Sequence, residues 1–576
     1  MGLLNSALQI GRSAILSYEG ALHAVGNNVS NAGNADYTRL TAALDSVQGV
    51  PIAAGLQPGA GVALTDIQRN LDEALEARVR LAIGVQQSAL TQQSTMAQVE
   101  AFLTDVNGTG VGSQLTEFFH SFDELQNTPE DPAIRDLTVR NGLRLADSMR
   151  SLRGQLGQLG QDLDAQIADV VAAADDIAQE IARLNGQITT AEAGQRGQAT
   201  ALRDQRDALL RQLSQYFDVS VREQPDGAIN VYVGNETLIQ GDVTRGLVAV
   251  PEIDGEFVRT SVRFADTNQQ VSIRAGRLAG LIISRDQYAY GQIAALDELA
   301  AGLIREVNRI HVDGQGLAGF DTLVGAQDVL QTDVPLDSDE AGLTDRPRSG
   351  SFFIVVTEEA TGTPVAFRID VDLDGSPAGT TLQSLVDDIN AQVNGLTASV
   401  TSDDRIALTA DDGFTFTLGH DGQQPRADTS GVLAALGLNT FFTGSDAGSI
   451  GVNDVLQANS AFLAAAQVFL SGDGSNAGRL AALDGEPVQS LRGRSITDVH
   501  NTIVTSVAVT ASGVNGDSEA ADTILSALRT QRENVSGVNL DEEAISLLKY
   551  ERAFQGAARF VRTVDDLLAE LVSLLS

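Results

Sequence analysis

The sequence predicts a multidomain α+β protein with terminal coiled-coil helices that pair with each other. A long-helix bundle lies beside them, and outer mainly-β and α+β domains are inserted in the middle of the chain. Three observations carry this reading. At 576 residues the chain exceeds the roughly 250 residues at which a single hydrophobic core stops growing. Both ends carry apolar residues at heptad spacing, the pattern of helices that pack along a partner. Between them, after Phe217, the apolar period switches from helical to two, the mark of strands. The expected domains are residues 1–36 with 540–576 (terminal helices), 37–217 with 455–539 (bundle), 218–330 (mainly β with a returning helix) and 331–454 (an inserted α+β unit).

At the N-terminal end, Leu4, Leu8, Gly11, Ile15, Tyr18, Leu22, Val25 and Val29 alternate steps of four and three, which keeps them on one helical face. Ala7, Ala14 and Ala21 recur beside that seam, and small residues there let a second element approach closely. Asn27, Asn28, Ser30, Asn31, Gly33 and Asn34 end the segment. A second amphipathic helix is expected from about Val62 to Leu103, and the turn Pro129–Pro132 opens a third. The third is long. Leu152, Leu156, Leu159, Leu163, Ile167, Val170, Ala174, Ile177, Ile181, Leu184 and Ile188 form a seam with one stutter, at Leu163–Ile167. Gly194 and Gly197 then turn the chain into a helix over Ala199–Gln215 that folds back.

The stretch VSVREQPDGAINVYVG reads as two strands about the turn Pro225-Asp226-Gly227, with strands continuing to Ile273. Helix returns over about Gly280–Ile310. From about Gly350 to Asn453, strands at Phe352–Val356, Phe367–Leu373 and Phe414–Leu418 and a helix at Leu382–Val393 form a separate unit. Val455–Gly472 lacks charge, but its Gln457, Asn459 and Ser460 make it a buried helix rather than a membrane span. Past a linker at Gly513–Gly516, helix runs to the end.

The last segment carries two adjacent seams. One is Ala544, Leu547, Phe554, Ala558, Val561, Leu568, Val572 and Leu575; the other, one step round, is Tyr550, Ala553, Ala557, Phe560, Val564, Leu567, Leu571 and Leu574. One partner helix does not cover so wide an apolar face. The helical candidates for a polymerisation interface are therefore Leu4, Leu8, Ile15, Tyr18, Leu22, Val25 and Val29 at one end. At the other they are Leu547, Tyr550, Phe554, Phe560, Val561, Val564, Leu567, Leu568, Leu571 and Leu575. A lone thirty-residue helix with an uncovered apolar face is marginal in water, so the termini are expected to order only on polymerisation.

The chemistry is sparse. A net charge of −38 opposes binding to phosphate backbones, so no nucleic-acid partner is expected. Lys549 is the single lysine, which leaves no polybasic anchor, and no membrane insertion is expected. The chain contains no cysteine, so disulfides and thiolate chemistry are excluded. Residues Met1–Ile15 lack a basic region before their apolar positions, against a cleaved secretory signal. His23, His120, His311, His420 and His500 lie far apart without zinc spacing and read as isolated surface or helix histidines. Asp370, Asp372 and Asp374, followed by Gly375, open like a calcium loop. Thr381 stands where that loop needs Glu, and Ile369, Val371 and Leu373 alternate with the aspartates as in a half-buried strand. No metal, cofactor or catalytic constellation is expected.

The segment LNSALQIGRSAILSYEGALHAVGNNVSNAGNADYTR, a helix followed by an asparagine-rich motif ending in tyrosine, resembles the rod–hook–filament axial proteins of bacterial flagella. So does VSGVNLDEEAISLLKYERAFQGAARFVRTVDDLLAELVSLL, where Asn539 or Asp541 caps a helix and Glu542 and Glu543 sit at its positive end. The stretches IARLNGQI, LRDQRDALLRQLSQYFDVSVREQPDGAINVYVGNETLIQG and VNRIHVDGQGLAGFD resemble the hook–filament junction members of that family. The resemblance adds Asn27, Asn28, Asn31 and Tyr37 to the interface. It implies a structural subunit rather than an enzyme, exported unfolded through the flagellar type III apparatus with an export chaperone. It also implies assembly with copies of itself into a ring outside the cell, between the hook protein and a second junction protein. Against it stand another axial protein, a secreted cell-wall hydrolase with polymerising ends, and a cytoplasmic coiled-coil adaptor.

Overall fold

The computed structural model describes residues 2–49, 59–104, 108–194, 197–374, 379–421, 424–468 and 472–575, the side chains of residues 2, 3, 574 and 575 excepted. The chain begins with helix α1 (Gly2–Ser30), the hairpin β1 (Leu40–Gln48) and β2 (Gly59–Arg69), and helices α2 (Glu73–Leu103), α3 (Val111–Asn127), α4 (Pro132–Ala191) and α5 (Thr200–Tyr216). Strands β3 (Val219–Glu223), β4 (Ile229–Val233), β5 (Glu236–Gln240), β6 (Val243–Thr244), β7 (Leu247–Asp254) and β8 (Phe257–Phe264) follow. Helices α6 (Gly276–Ile283) and α7 (Tyr290–His311) are joined by a π-helical stretch, Ser284–Ala289. Next come β9 (Thr322–Val324), β10 (Gly350–Glu358), β11 (Thr363–Val371), α8 (Leu382–Gln392), β12 (Leu396–Val400), β13 (Ile406–Ala410) and β14 (Phe414–Leu418). The chain closes with α9 (Val432–Ala435), β15 (Phe442–Thr443), β16 (Gly451–Val452), α10 (Asp454–Ala458), α11 (Ser475–Ala482), α12 (Ile496–Ser536) and α13 (Leu540–Leu575).

One compact unit comprises Met1–Thr95, Gln161–Arg285 and Gly513–Ser576. Here β3 to β6 form an antiparallel sheet in sequence order, and β7 and β8 form a separate ribbon. Leu75, Val79, Ala82 and Ile83 of α2 share a core with Leu525 and Leu528 of α12. The α4 seam from Leu163 to Ile188 is buried except for half-buried Ile177. Its Asn185 is buried too. Asn185 donates to the carbonyls of Ile229 at 2.9 Å and Gly241 at 2.6 Å and accepts from Arg206 at 3.1 Å, so the amide ties the helix to the sheet. Beside it, Arg203 donates to Glu192 at 2.8 Å, and this bond holds the Glu192 carboxyl down to about 2.

The second unit comprises Met96–Gly160 and Asp286–Ser512. A core running from Val312 to Leu438 is built from two three-stranded antiparallel sheets, β11-β10-β14 and β12-β13-β9, with α8 among their buried residues. Thr381 is the N-cap of α8: its hydroxyl accepts from Ser384 N at 3.0 Å, while the Ser384 hydroxyl accepts from Thr381 N at 2.9 Å. Along β11 and beyond, Ile369, Val371 and Leu373 are buried, Asp370, Asp372 and Asp374 are exposed, and Arg368 pairs with Asp370 at 2.7 Å. Gly375 lies outside the described residues. Phe118 and Phe122 of α3 meet Phe441 at ring separations of 5.3 and 5.8 Å. His311 sits edge-on to that ring, fully buried.

Five expectations are corrected. The helix expected from Val62 starts at Glu73, because Gly59–Arg69 pairs with Leu40–Gln48 as a hairpin. Helix α3, with Val111, Leu115, Phe118, Phe122 and Leu125 buried, was not expected. Gly513–Gly516 is no linker: α12 passes through it, at a cost of about 1 kcal/mol per glycine, with Ala511 and Val514 buried beside them. Val455–Gly472 is not one helix. After α10 the chain makes a 3-10 turn at Ser460–Phe462 that is capped by Asn459, and Leu463, Ala464 and Ala465 are buried without helix. The last concerns His420, which is neither at the surface nor in a helix but buried after β14, its ring within 2.7 Å of the Thr417 hydroxyl.

Candidate assembly surface

Helix α1 packs along α13 on one side and along β1 and β2 on another. The helices are antiparallel, since Gly11 faces Val561, Tyr18 faces Tyr550 with rings 6.4 Å apart, and Asn28 faces Glu543. Gly11 sets the closeness of the pair: a Cβ there would lie 2.3 Å from Val561 Cγ2. On the other side Ser17, buried, accepts from Leu64 N at 3.0 Å and donates to the Val62 carbonyl at 3.1 Å, locking the helix to β2. Ala21, Ala24 and Val25 are buried, and Leu4, Leu8, Ile15, Tyr18 and Leu22 are half-buried. Val29 is exposed.

On α13, with Ala553 and Ala558 half-buried beside them, the covered positions include Tyr550, Phe554, Ala557, Val561, Val564, Leu568 and Leu571. Their steps of four and three make one seam drawn alternately from the two read in the sequence. The rest of the wide face stays open. Phe560 and Leu567, one heptad apart on the same flank, are 44% and 50% exposed. Leu547, Leu548, Ile545 and Val572 are exposed as well. The side chain of Leu575 lies outside the described residues.

A polar clamp fixes the end of this pair. Buried Asn28 donates to the Leu40 carbonyl at 2.8 Å and to Glu543 Oε2 at 3.0 Å; its own carbonyl accepts from Leu40 N at 2.8 Å and the Tyr37 hydroxyl at 2.9 Å. Glu543, buried, also accepts from Arg39 Nε at 2.8 Å. Burial, with Asp204 and Glu543 nearby, pushes the Tyr37 phenol up to about 12. Asn27 is exposed, and its carbonyl accepts from Asn31 Nδ2 at 2.9 Å, a bond within the motif itself. The following loop is held by Asp36, which pairs with Arg211 at 2.8 Å, and by Ala35, whose carbonyl accepts from Arg532 at 3.0 Å. Arg211 and Arg532 in turn flank buried Glu76, at 3.3 and 2.5 Å. This loop borders a cleft of about 770 Å³ between α2, α5 and the end of α12.

Comparison with known proteins gives this arrangement a family. Residues 96–325 match the model of the flagellar hook-associated protein FlgK helical domain, 529–574 that of the flagellar basal body rod FlgEFG protein C-terminal region, and 363–412 the flagellin hook IN motif. Flagellar hook-associated protein 1 of Salmonella typhimurium is 26% identical over 593 residues, covering 99% of this chain and 100% of that protein. The chain is thus similar to flagellar hook-associated protein 1 over essentially its whole length. Other proteins of that name are similar along nearly their whole length: that of Escherichia coli strain K12 at 26% identity over 99% of each chain, and that of Bacillus subtilis at 24% over 98% and 97%. In fold, the chain is similar to the flagellar hook junction protein FlgK from Burkholderia pseudomallei, with a TM-score of 0.50, 16% identity, and 80% of this chain and all of that one covered. The family is one of structural flagellar proteins.

Arg39, Glu543, Gly11 and Ser17 escape sequence reasoning as site residues. Each works through a partner remote in sequence; Gly11, a small residue inside an apolar seam, and Glu543, an acid in the first turn of a helix, leave a local sign. Among the described residues no group of His, Asp or Glu could hold a metal ion, and no helix is long and apolar enough to cross a membrane.

Proposed function

We propose that the chain is a structural subunit of the bacterial flagellum that forms the junction between hook and filament and is required for assembly and motility. The observation that carries this is the similarity, along essentially the whole of both chains, to proteins named flagellar hook-associated protein 1. The C-terminal match alone would also suit a rod or hook protein; the match over 96–325 separates the junction protein from them. Its role is architectural, not catalytic.

In this reading the antiparallel helices form a coiled coil in the inner tube, and the remaining three domains, 37–217 with 455–539, 218–330 and 331–454, project outward. The open flank of α13 meets a neighbouring copy in the ring, because apolar surface left over from intrachain pairing gains by burial in assembly. The hook protein and the second junction protein are its neighbours along the axis. The chain reaches that place through the flagellar type III apparatus, with a chaperone. Electron microscopy of a strain lacking the gene tests the proposal: intact hooks without filaments, restored by the gene, are expected, and normal filaments would overturn it.

A further inference from the structure

We infer that Asn394 is a site of spontaneous deamidation, at which an exposed turn of the second unit acquires a negative charge and, in part, an isoaspartyl linkage. The reaction needs an asparagine whose side-chain carbonyl carbon can be reached by the next backbone nitrogen, and glycine as the next residue offers least hindrance. Five Asn-Gly pairs occur in the chain: Asn107-Gly108, Asn141-Gly142, Asn185-Gly186, Asn394-Gly395 and Asn515-Gly516. Asn107 lies outside the described residues.

Three of the others are protected. Asn141 and Asn185 sit inside α4, and Asn515 inside α12, where helical backbone carries the following nitrogen away from the side chain and keeps it in the helix hydrogen-bond ladder. Their side chains are also held. Asn141 donates to the Glu117 carbonyl at 3.2 Å, Asn185 is fully buried between Ile229 and Gly241, and Asn515 accepts from Gln93 at 2.9 Å.

Asn394 differs on every count. It is exposed, in the turn between α8 and β12, and among the described residues its side-chain amide has no hydrogen-bond partner. Gly395 follows at φ +81°, and its N–H likewise donates to no described residue. The Gly395 nitrogen, on losing its proton to solvent base, attacks Asn394 Cγ. A C–N bond closes the five-membered imide, and the side-chain nitrogen leaves as ammonia. Water then opens the ring at either carbonyl, giving aspartate or isoaspartate, with no oxidant or reductant involved. The product adds a carboxylate beside Asp411, whose N–H donates to the Gly395 carbonyl at 3.0 Å.

The test is ageing of the full-length protein in mildly alkaline buffer, followed by tryptic mass spectrometry. Arg368 and Arg405 bound one peptide containing Asn390 and Asn394, and fragmentation separates the two. The expected result is an amide-to-acid mass increase at Asn394 several-fold ahead of Asn141, Asn185 and Asn515, accelerating with pH and absent in Asn394→Gln. In denatured chain all of these Asn-Gly pairs should convert at comparable rates. Equal conversion at the helical sites in the folded protein, or an unchanged Asn394 while the denatured chain converts, would overturn the inference.

Discussion

Asn28 makes four hydrogen bonds to three chain segments, and no other side chain of its motif does comparable work. Asn28→Ala would strand the Leu40 N–H and carbonyl and leave the buried Glu543 carboxylate short of a donor. The expected loss is about 3 kcal/mol, from at least two buried groups left unsatisfied, read as a lower urea midpoint and faster amide exchange in α1. His311 gives a residue-scale prediction in the other unit. It donates from Nδ1 to the Asn439 carbonyl at 2.7 Å and accepts at Nε2 from Ala464 N at 3.0 Å, so a neutral ring satisfies both. Burial, eased by the Asn439 bond and reinforced by the Arg135 charge, pushes its pKa down from 6.5 to about 4. The unfolded chain therefore takes up the proton first. Stability is complete above pH 6.5 and falls as pH drops toward 4, by roughly 3 kcal/mol at most. Urea titrations across that window should show the loss, and His311→Gln should flatten it.

The heptad seams of α1 and α13 are legible in sequence because an apolar residue every three or four positions is a local pattern. Which part of the wide α13 face meets α1 is not, since that depends on Gly11 admitting Val561. Gly11→Leu should force the pair apart, costing about 1–3 kcal/mol as overpacking does, and should raise the exchange of α1 and α13 while leaving α4 unchanged. The hairpin β1–β2 was illegible for a related reason. Val62, Leu64 and Ile67 suit either period, and only pairing with Leu40–Gln48 decides. The strands of the inserted unit and the helix α4 were legible through alternation and seam, and α8 as a helix over Leu382–Val393, but its Thr381 cap was not. The clamp residues Arg39 and Glu543 were not, because an ion pair across some five hundred residues leaves no spacing to read. A further element-scale prediction concerns Glu76, the anion between Arg211 and Arg532. Glu76→Leu leaves Arg532 without its carboxylate and Arg211 with Asp36 alone, costs about 3–5 kcal/mol by the usual penalty for half of a buried pair, and should free the Asn31–Tyr37 loop to proteolysis.

Within the whole molecule, α1 is not the uncovered helix its sequence suggested. It has two partners in its own chain, α13 and the hairpin, and the apolar surface that stays open is the flank of α13. In the proposed assembly, polymerisation rests on side chains such as Phe560 and Leu567 that are about half exposed in the monomer. The most direct measurement is junction formation by Phe560→Asp with Leu567→Asp, expressed in a strain lacking the gene and viewed by electron microscopy beside a melting curve of the purified variant. Hooks without filaments are expected from a protein whose melting is that of the wild type, because both side chains are about half exposed in the monomer. Normal hook–filament junctions formed by that variant would contradict the proposed assembly.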